Sequence, residues 1–533
     1  MALVASLFWV LTANRPFFSA ALHGRESADP ATWGFALGLG VLLFALHAGL
    51  VMLLALHRRL LKPVLALLVV ATAFASYFIQ SLGIYLDPSM LRNVLHTDPA
   101  EARELLGWAL VPHLLLYAAL PLAVLAQVRI VARPPLRALA VRGLALAGLA
   151  GVLVAATLAM FQPFSSLMRN HKELRYQITP ANWVWSLATV AAAEPPGTVH
   201  AKQPIGLDAK PGPTWQAATR PRLVVLVVGE TARRANWGLG GYARQTTPEL
   251  AGLPVIDFAD VASCGTNTEV SLPCMFAPVG RRDYDERRIR GSQSLLHVAA
   301  RAGVAVQWRD NQSGCKGVCD GLPSEDTSAL APPNLCTGGH CLDETLLIGL
   351  EERLRSTQGT ELLVLHMLGN HGPSYFRRLP PAFARFQPAC QSDDLQACSR
   401  EQIVNAYDNA LLYTDHVLAA LVRTLQAREG QVDSAMVYVS DHGESLGENG
   451  LFLHGMPYAI APPEQKRVPM VMWASPGFAR GNALDLACVR DRASKPSSHD
   501  HLFHTVLGLL DVRTSLYERA WDLAGGCRPQ AAP

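Results

Sequence analysis

Leu223-Val224-Val225-Leu226-Val227-Val228 runs straight into Gly229-Glu230-Thr231. A short, Val-rich apolar run closed by glycine reads as a strand buried on both faces. Val304–Trp308, Glu361–His366, Ser434–Ser440 and Val468–Trp473 repeat the pattern, with helical stretches such as Glu401–Arg428 between them. Strand–helix alternation from Arg222 onward predicts an α/β sandwich with a largely parallel sheet. In such sheets ligands gather where strands end and loops begin.

Two of those ends carry metal-ligating chemistry. The first strand delivers Glu230, and Ser434–Ser440 delivers Asp441-His442-Gly443-Glu444. Two carboxylates and an imidazole at one sheet edge suit Zn²⁺. A hydroxyl-rich run, Ser263-Cys264-Gly265-Thr266-Asn267-Thr268, offers a further ligand or a nucleophile. A bound metal lets a hydroxyl ionise near neutral pH and shields phosphate charge, and both effects favour attack on a phosphodiester. His371 in Gly369-Asn370-His371-Gly372-Pro373 and His454 in Phe452-Leu453-His454-Gly455 sit in Gly-flanked loops. Such imidazoles are candidates to protonate a leaving alkoxide or to hold a phosphate oxygen.

Upstream, the composition changes. Half of the 533 residues are apolar, and the first third is dense in Leu, Ala and Val. Trp33–Leu56, Pro63–Leu86, Leu106–Val128 and Gly143–Phe161 meet the length of about 20 apolar residues that a bilayer requires. Ala2–Leu11, extended toward Leu22, makes a fifth span; a signal peptide is the rival, but no positive charge precedes it. Arg58, Arg59 and Lys62, then Arg129, Arg133, Arg137 and Arg142, place two links on the cytoplasmic side. The chain thus starts inside, and everything after about Gln162 lies outside. The boundaries read 1–161 for the membrane domain, 162–220 for a linker along the membrane surface with Pro195-Pro196, and 221–533 for the soluble domain. Trp183 and Trp185 in that linker are candidates for the membrane interface.

Cysteine placement gives the same compartment. All ten cysteines lie between Cys264 and Cys527. Their spacing pairs Cys264 with Cys274, Cys315 with Cys319, Cys336 with Cys341, Cys390 with Cys398, and Cys488 with Cys527. Disulfides persist in an oxidising compartment. A zinc ribbon from Cys315, Cys319, Cys336 and Cys341 would leave the other pairs idle. The net charge of +3 argues for no nucleic-acid surface.

With these motifs assembled, the chain resembles the membrane phosphoethanolamine transferases of Gram-negative bacteria, which include the lipid A-modifying enzymes of polymyxin resistance. The resemblance spans nearly the whole chain, and the family's soluble domain has the alkaline phosphatase and sulfatase fold. It implies Zn²⁺ held by Glu230, Thr268, Asp441 and His442, with room for a second ion, and Thr268 rather than Thr266 as the nucleophile. It assigns His371 and His454 to the phosphate or a second metal, and Ser313 and Lys316 to the substrate phosphate. Asn93 and Glu101, in the loop after the third span, fall to the ethanolamine amine, which suits a carboxylate and an amide acceptor. The implied enzyme is a multi-pass, monomeric protein of the inner membrane with its catalytic domain in the periplasm. Its implied donor is phosphatidylethanolamine and its acceptor a phosphate of lipid A; a glycan or another lipid is the alternative acceptor. Asn267, Glu269 and Asn370 stand where smaller residues or Ser are common, and no catalytic group is lost. A sulfatase would show x-Pro-x-Arg after its nucleophile, whereas Glu269-Val270-Ser271-Leu272 follow Thr268.

Overall fold

Helix follows helix through the first third of the chain, as its long apolar runs require. The computed structural model describes residues 1–55, 57–131, 133–193, 201–337 and 340–529. Met1–Leu95 and Leu106–Thr198 make one compact unit; His96–Leu105 and Val199–Pro533 make the other.

In the first unit, four helices among the described residues are long and apolar enough to cross a membrane: Pro30–Leu54, Arg58–Leu82, Leu110–Gln127 and Pro135–Ala159. Asp29 caps the first of them by accepting from Ala31 N at 2.9 Å, and Pro30 takes a position where its missing N–H costs nothing. The opening run departs from a single span. Ala2–Thr12 is helical, but the chain breaks near Asn14 and restarts as Arg15–Ala21. The Asn14 amide donates to the carbonyls of Trp9 and Thr179 at 2.9 and 2.8 Å, so a polar side chain satisfies the backbone at the break. The last long helix begins earlier than hydropathy alone indicates, because Arg137 and Arg142 continue the helix rather than a loop.

The predicted linker also differs. Phe161–Asn170, Lys172–Gln177 and Ala181–Ala193 are helical. Phe164, Leu167 and Met168 recur at helical spacing and pack on an apolar cluster, a periodicity that the polar composition conceals. Trp183 packs within the unit, whereas Trp185 is exposed. Leu56 and Pro195-Pro196 lie outside the described residues.

The second unit is built on a seven-stranded sheet with Arg222–Gly229 at its centre. Thr360–His366 and Asp433–Ser440 flank that strand in parallel, and Ala305–Asp310 extends the parallel set beyond Thr360–His366. Met470–Ala474 joins antiparallel on the far side of Asp433–Ser440. Every residue of Arg222–Gly229 is buried, as expected of a central strand covered on both faces. One face of the sheet carries Val224, Leu226 and Val228 into a core shared with the helices Leu295–Arg301 and Leu502–Leu509. The long helix Arg400–Gln426, started by a capping box between Ser399 and Gln402, packs against Asp433–Ser440. The five cysteine pairs expected from spacing are joined as disulfides.

Register decides where the site forms. Ser440 pairs with Gly229, and Val228 pairs with His366. The three strands therefore end level with one another, and Glu230 and Asp441 leave the sheet side by side.

Candidate metal and nucleophile site

Asp441 N donates to Gly229 O at 2.9 Å, which locks the two strand exits together. A short strand, Val261–Ala262, in a separate three-stranded sheet leads the hydroxyl-rich loop toward them. Asn267 then caps the helix Thr268–Met275, its side-chain oxygen accepting from Val270 N at 3.0 Å. The disulfide Cys264–Cys274 staples loop to helix, and Ser271 Oγ donates to Asp441 O at 2.5 Å. Thr268 is thus presented from a helix N-terminus, where backbone N–H groups favour negative charge.

The four side chains converge. Thr268 Oγ1 lies 3.0 Å from Glu230 Oε2 and 3.4 Å from His442 Nε2. His442 Nε2 lies 3.2 Å from Glu230 Oε1 and 3.3 Å from Asp441 Oδ2. His442 Nδ1 is 3.0 Å from the carbonyl of Gly443, which accepts its proton and leaves Nε2 facing the cluster. Among the described residues, Glu230 Oε1 and Asp441 Oδ2 are buried without a hydrogen-bond partner. Burial, and then the neighbouring Glu230 charge, push the Asp441 carboxyl up to about 7. Burial alone would lower His442, but the Asp441 and Glu230 carboxylates outweigh it and push the imidazole up to about 10. Two buried carboxylates around one point thus call for positive charge. The donor set of two carboxylates, an imidazole nitrogen and a hydroxyl fits Zn²⁺.

Thr266 has a different fate. Its hydroxyl donates to Met456 O at 2.6 Å, while its carbonyl accepts from Gly455 N at 2.7 Å. Its side chain is occupied in holding the His454 loop. His454 lies against the cluster, with its ring centroid 4.3 Å from that of His442 and 5.5 Å from that of His371. Burial, then the charge of His442, lowers the His454 pKa. His454 Nδ1 is 2.8 Å from Glu444 Oε2, and the Tyr375 hydroxyl donates to Glu444 Oε1 at 2.6 Å. Gly369 supplies the turn that brings in His371, at φ +54°, where a Cβ would stand 2.7 Å from Glu230 O.

The residues that the resemblance gives to the phosphate meet at Glu269, the residue after Thr268. Lys316 Nζ donates to Ser313 Oγ at 2.8 Å and lies 3.5 Å from Glu269 Oε1. Glu269 is buried and also pairs with Arg290 at 2.9 Å and His96 at 3.1 Å. Burial would raise its carboxyl, but Arg290 and then Lys316 hold it below its ordinary value. Glu101 is buried in the second unit and makes no ion pair among the described residues. Asn93 belongs to the first unit, in the helix Pro88–His96.

Sequence reasoning passed over His366, which closes the Thr360–His366 strand and reads there as one more buried strand residue. Its Nδ1 lies 2.9 Å from Asp310 Oδ2, while its Nε2 is buried without a hydrogen-bond partner among the described residues. Trp308 Nε1 donates to the same Asp310 oxygen at 2.7 Å. The available signal was an imidazole at the carboxyl end of a strand, level with Val228.

Known proteins match nearly the whole length of the chain. The Sulfatase family matches residues 222–512, and the family described as phosphoethanolamine transferase EptA/EptB matches residues 43–194. Phosphoethanolamine transferase EptA of Escherichia coli (strain K12) is 38% identical over 543 residues, covering 99% of this chain and 96% of that protein. Phosphatidylethanolamine transferase Mcr-1 of Escherichia coli is 39% identical over 528 residues, covering 96% and 94%. The solved structure of the integral membrane lipooligosaccharide phosphoethanolamine transferase A from Neisseria meningitidis aligns with a TM-score of 0.94 at 36% identity, covering 99% of each chain.

Proposed function

The chain belongs to the phosphoethanolamine transferase family, and from that premise we propose that it moves phosphoethanolamine from phosphatidylethanolamine to a phosphate of lipid A through Thr268. The observation that carries the nucleophile is the contrast of two threonines: Thr268 Oγ1 stands among Glu230 and His442, whereas the Thr266 hydroxyl is bound to Met456 O. The name of the relative Mcr-1, a phosphatidylethanolamine transferase, supports the donor. The lipooligosaccharide substrate named for the Neisseria protein supports a lipid A-type acceptor.

In the first step Thr268 Oγ, its hydroxyl proton released to solvent, bonds to phosphorus and the bond to the diacylglycerol oxygen breaks. A proton from His371 or His454 passes to the departing alkoxide, releasing diacylglycerol. In the second step a phosphate hydroxyl of lipid A gives its proton to that histidine, its oxygen bonds to the same phosphorus, and the Thr268 ester breaks to return the ionised threonine. Zn²⁺ held by Glu230, Thr268, Asp441 and His442 supplies charge that lowers the pKa of a hydroxyl and offsets phosphate charge. Lys316 and Ser313 bind the phosphate oxygens. Glu101 receives the ammonium; a carboxylate that is buried and makes no ion pair among the described residues suits a cation. The basic links of the membrane helices and the five disulfides support an inner-membrane enzyme whose catalytic unit is periplasmic.

Mass spectrometry of lipid A and phospholipids from cells expressing the chain, beside cells expressing Thr268→Ala, tests this. A phosphoethanolamine-sized addition to lipid A, with a rise in diacylglycerol, is expected only with the unmodified chain. Persistence in Thr268→Ala overturns the threonine, and an addition to a glycan alone overturns the acceptor.

A further inference from the structure

A short stretch of the outer loop keeps company with the catalytic unit. His96–Leu105 belongs to the second unit, although Leu95 before it and Leu106 after it belong to the first. The stretch is tied to the site at both ends. At its start, His96 Nδ1 lies 3.1 Å from Glu269 Oε1, and Glu269 is the residue after Thr268. At its finish, Arg378 Nη2 donates to Glu104 Oε2 at 2.6 Å, with the two side chains 1% and 3% exposed. Arg378 Nε donates to the carbonyl oxygen of His371 at 2.8 Å, so one guanidinium joins the stretch to the histidine loop. A planar guanidinium that serves two acceptors in this way fixes orientation as well as distance.

Glu269 does the corresponding work at the near end. It is 1% exposed, and it joins His96 to Arg290 at 2.9 Å and to Lys316 at 3.5 Å. Arg290 Nη2 also donates to the backbone carbonyl of Glu269 at 2.5 Å. The same carboxylate therefore sets the phosphate-facing lysine and the first residue of the stretch. Between the two anchors lies Glu101, buried and without an ion pair among the described residues.

We propose that residues 96–105 form a two-point clasp on the catalytic unit, closed by Glu269–His96 and Glu104–Arg378, with Glu269 and Arg378 as positioning residues for substrate. Glu269, next to Thr268 in the chain, holds Lys316 and the near end. Arg378 holds the far end together with the His371 loop. The clasp keeps Glu101 in place for the substrate ammonium, so its catalytic consequence rests on the transfer reaction proposed above.

Hydrogen exchange and steady-state kinetics on the full-length protein in detergent test the clasp separately from the reaction. His96→Ala and Glu104→Gln should each speed backbone exchange of residues 96–105 by about tenfold while the helix Thr268–Met275 keeps its protection. The same variants should raise KM for phosphatidylethanolamine by about tenfold and leave kcat within about threefold. His96→Lys, which sets an ammonium donor facing Glu269, should restore both readouts. Glu101→Gln should raise KM without changing exchange. Unchanged exchange in both His96→Ala and Glu104→Gln overturns the clasp, as does a fall in kcat at constant KM. If Glu104→Gln unfolds the unit, the contrast between His96→Ala and His96→Lys decides alone: loss and restoration support the clasp, and identical exchange overturns it. If the unmodified chain transfers nothing from phosphatidylethanolamine, the reaction fails while the exchange data still judge the clasp.

Discussion

Thr268 and Glu269 are chain neighbours, both buried, and the charges around them are opposite in sign. Thr268 faces Glu230, Asp441 and the imidazole of His442, a group in which two buried carboxylate oxygens lack hydrogen-bond partners among the described residues. Glu269 faces Arg290, Lys316 and His96, each of which it already pairs. Leaving buried polar atoms unmade is costly, so the acidic group is arranged for something it must still bind. The basic group is closed on itself and arranges what is already there. If the acidic group serves the proposed chemistry and the basic one the placement of substrate, the two should break differently.

The largest effects belong to the acidic group. Glu230→Ala and Asp441→Ala should each lose bound zinc, read by elemental analysis of the purified protein, and lower transfer by at least about a thousandfold. Retained zinc with full activity in either variant would erase the contrast. On the basic side, Lys316→Ala should lower kcat/KM by about thirtyfold, mostly through KM, with zinc content unchanged. A loss as deep as that of Glu230→Ala would move Lys316 into the chemical step.

The acidic group was far more legible in the sequence than the basic one, for a physical reason. Glu230 and Asp441-His442 each follow an apolar run directly, so a strand-end rule finds them without knowing which strands pair. The parallel register of Gly229 with Ser440 then brings them together. Glu269 draws on His96, Arg290 and Lys316, which come from three separate stretches of chain, and no local pattern announces such a meeting. The central strands were legible because burial on both faces leaves unbroken apolar runs. The helix Phe161–Asn170 was not, because its apolar residues are spaced by the helix period among polar ones.

A stability effect of intermediate size tests what lies beneath the acidic group. Burial would raise the Asp310 carboxyl, but His366 beside it outweighs burial and holds it at about 2, below its ordinary 3.8. A carboxyl depressed on folding stabilises the folded state above its unfolded pKa, and that contribution fades as pH falls from about 4 through about 2. The shift corresponds to about 2 kcal/mol. Asp310→Asn should therefore lower thermal stability in detergent at pH 7 by about that amount and lose its penalty progressively below about pH 4. A penalty that stays constant down to pH 2 would detach Asp310 from His366.

The smallest expected effect gives the sharpest comparison, because it sets one threonine against another. Thr266 and Thr268 are both buried and two positions apart, and either could be named as the nucleophile from composition alone. Thr266→Val removes a hydroxyl that donates to Met456 O and leaves that carbonyl unpaired, which should cost about 1 kcal/mol of stability. The valine keeps the shape of the side chain, so the His454 loop stays in place and transfer should remain within about threefold of the unmodified chain. Thr268→Ala, by contrast, removes the only threonine hydroxyl that contacts Glu230 and His442 among the described residues. If Thr266→Val stopped transfer while zinc content and the thermal midpoint stayed near those of the unmodified chain, the hydroxyl bound to Met456 O would be the reactive one. The acidic cluster around Thr268 would then be a metal site without its nucleophile.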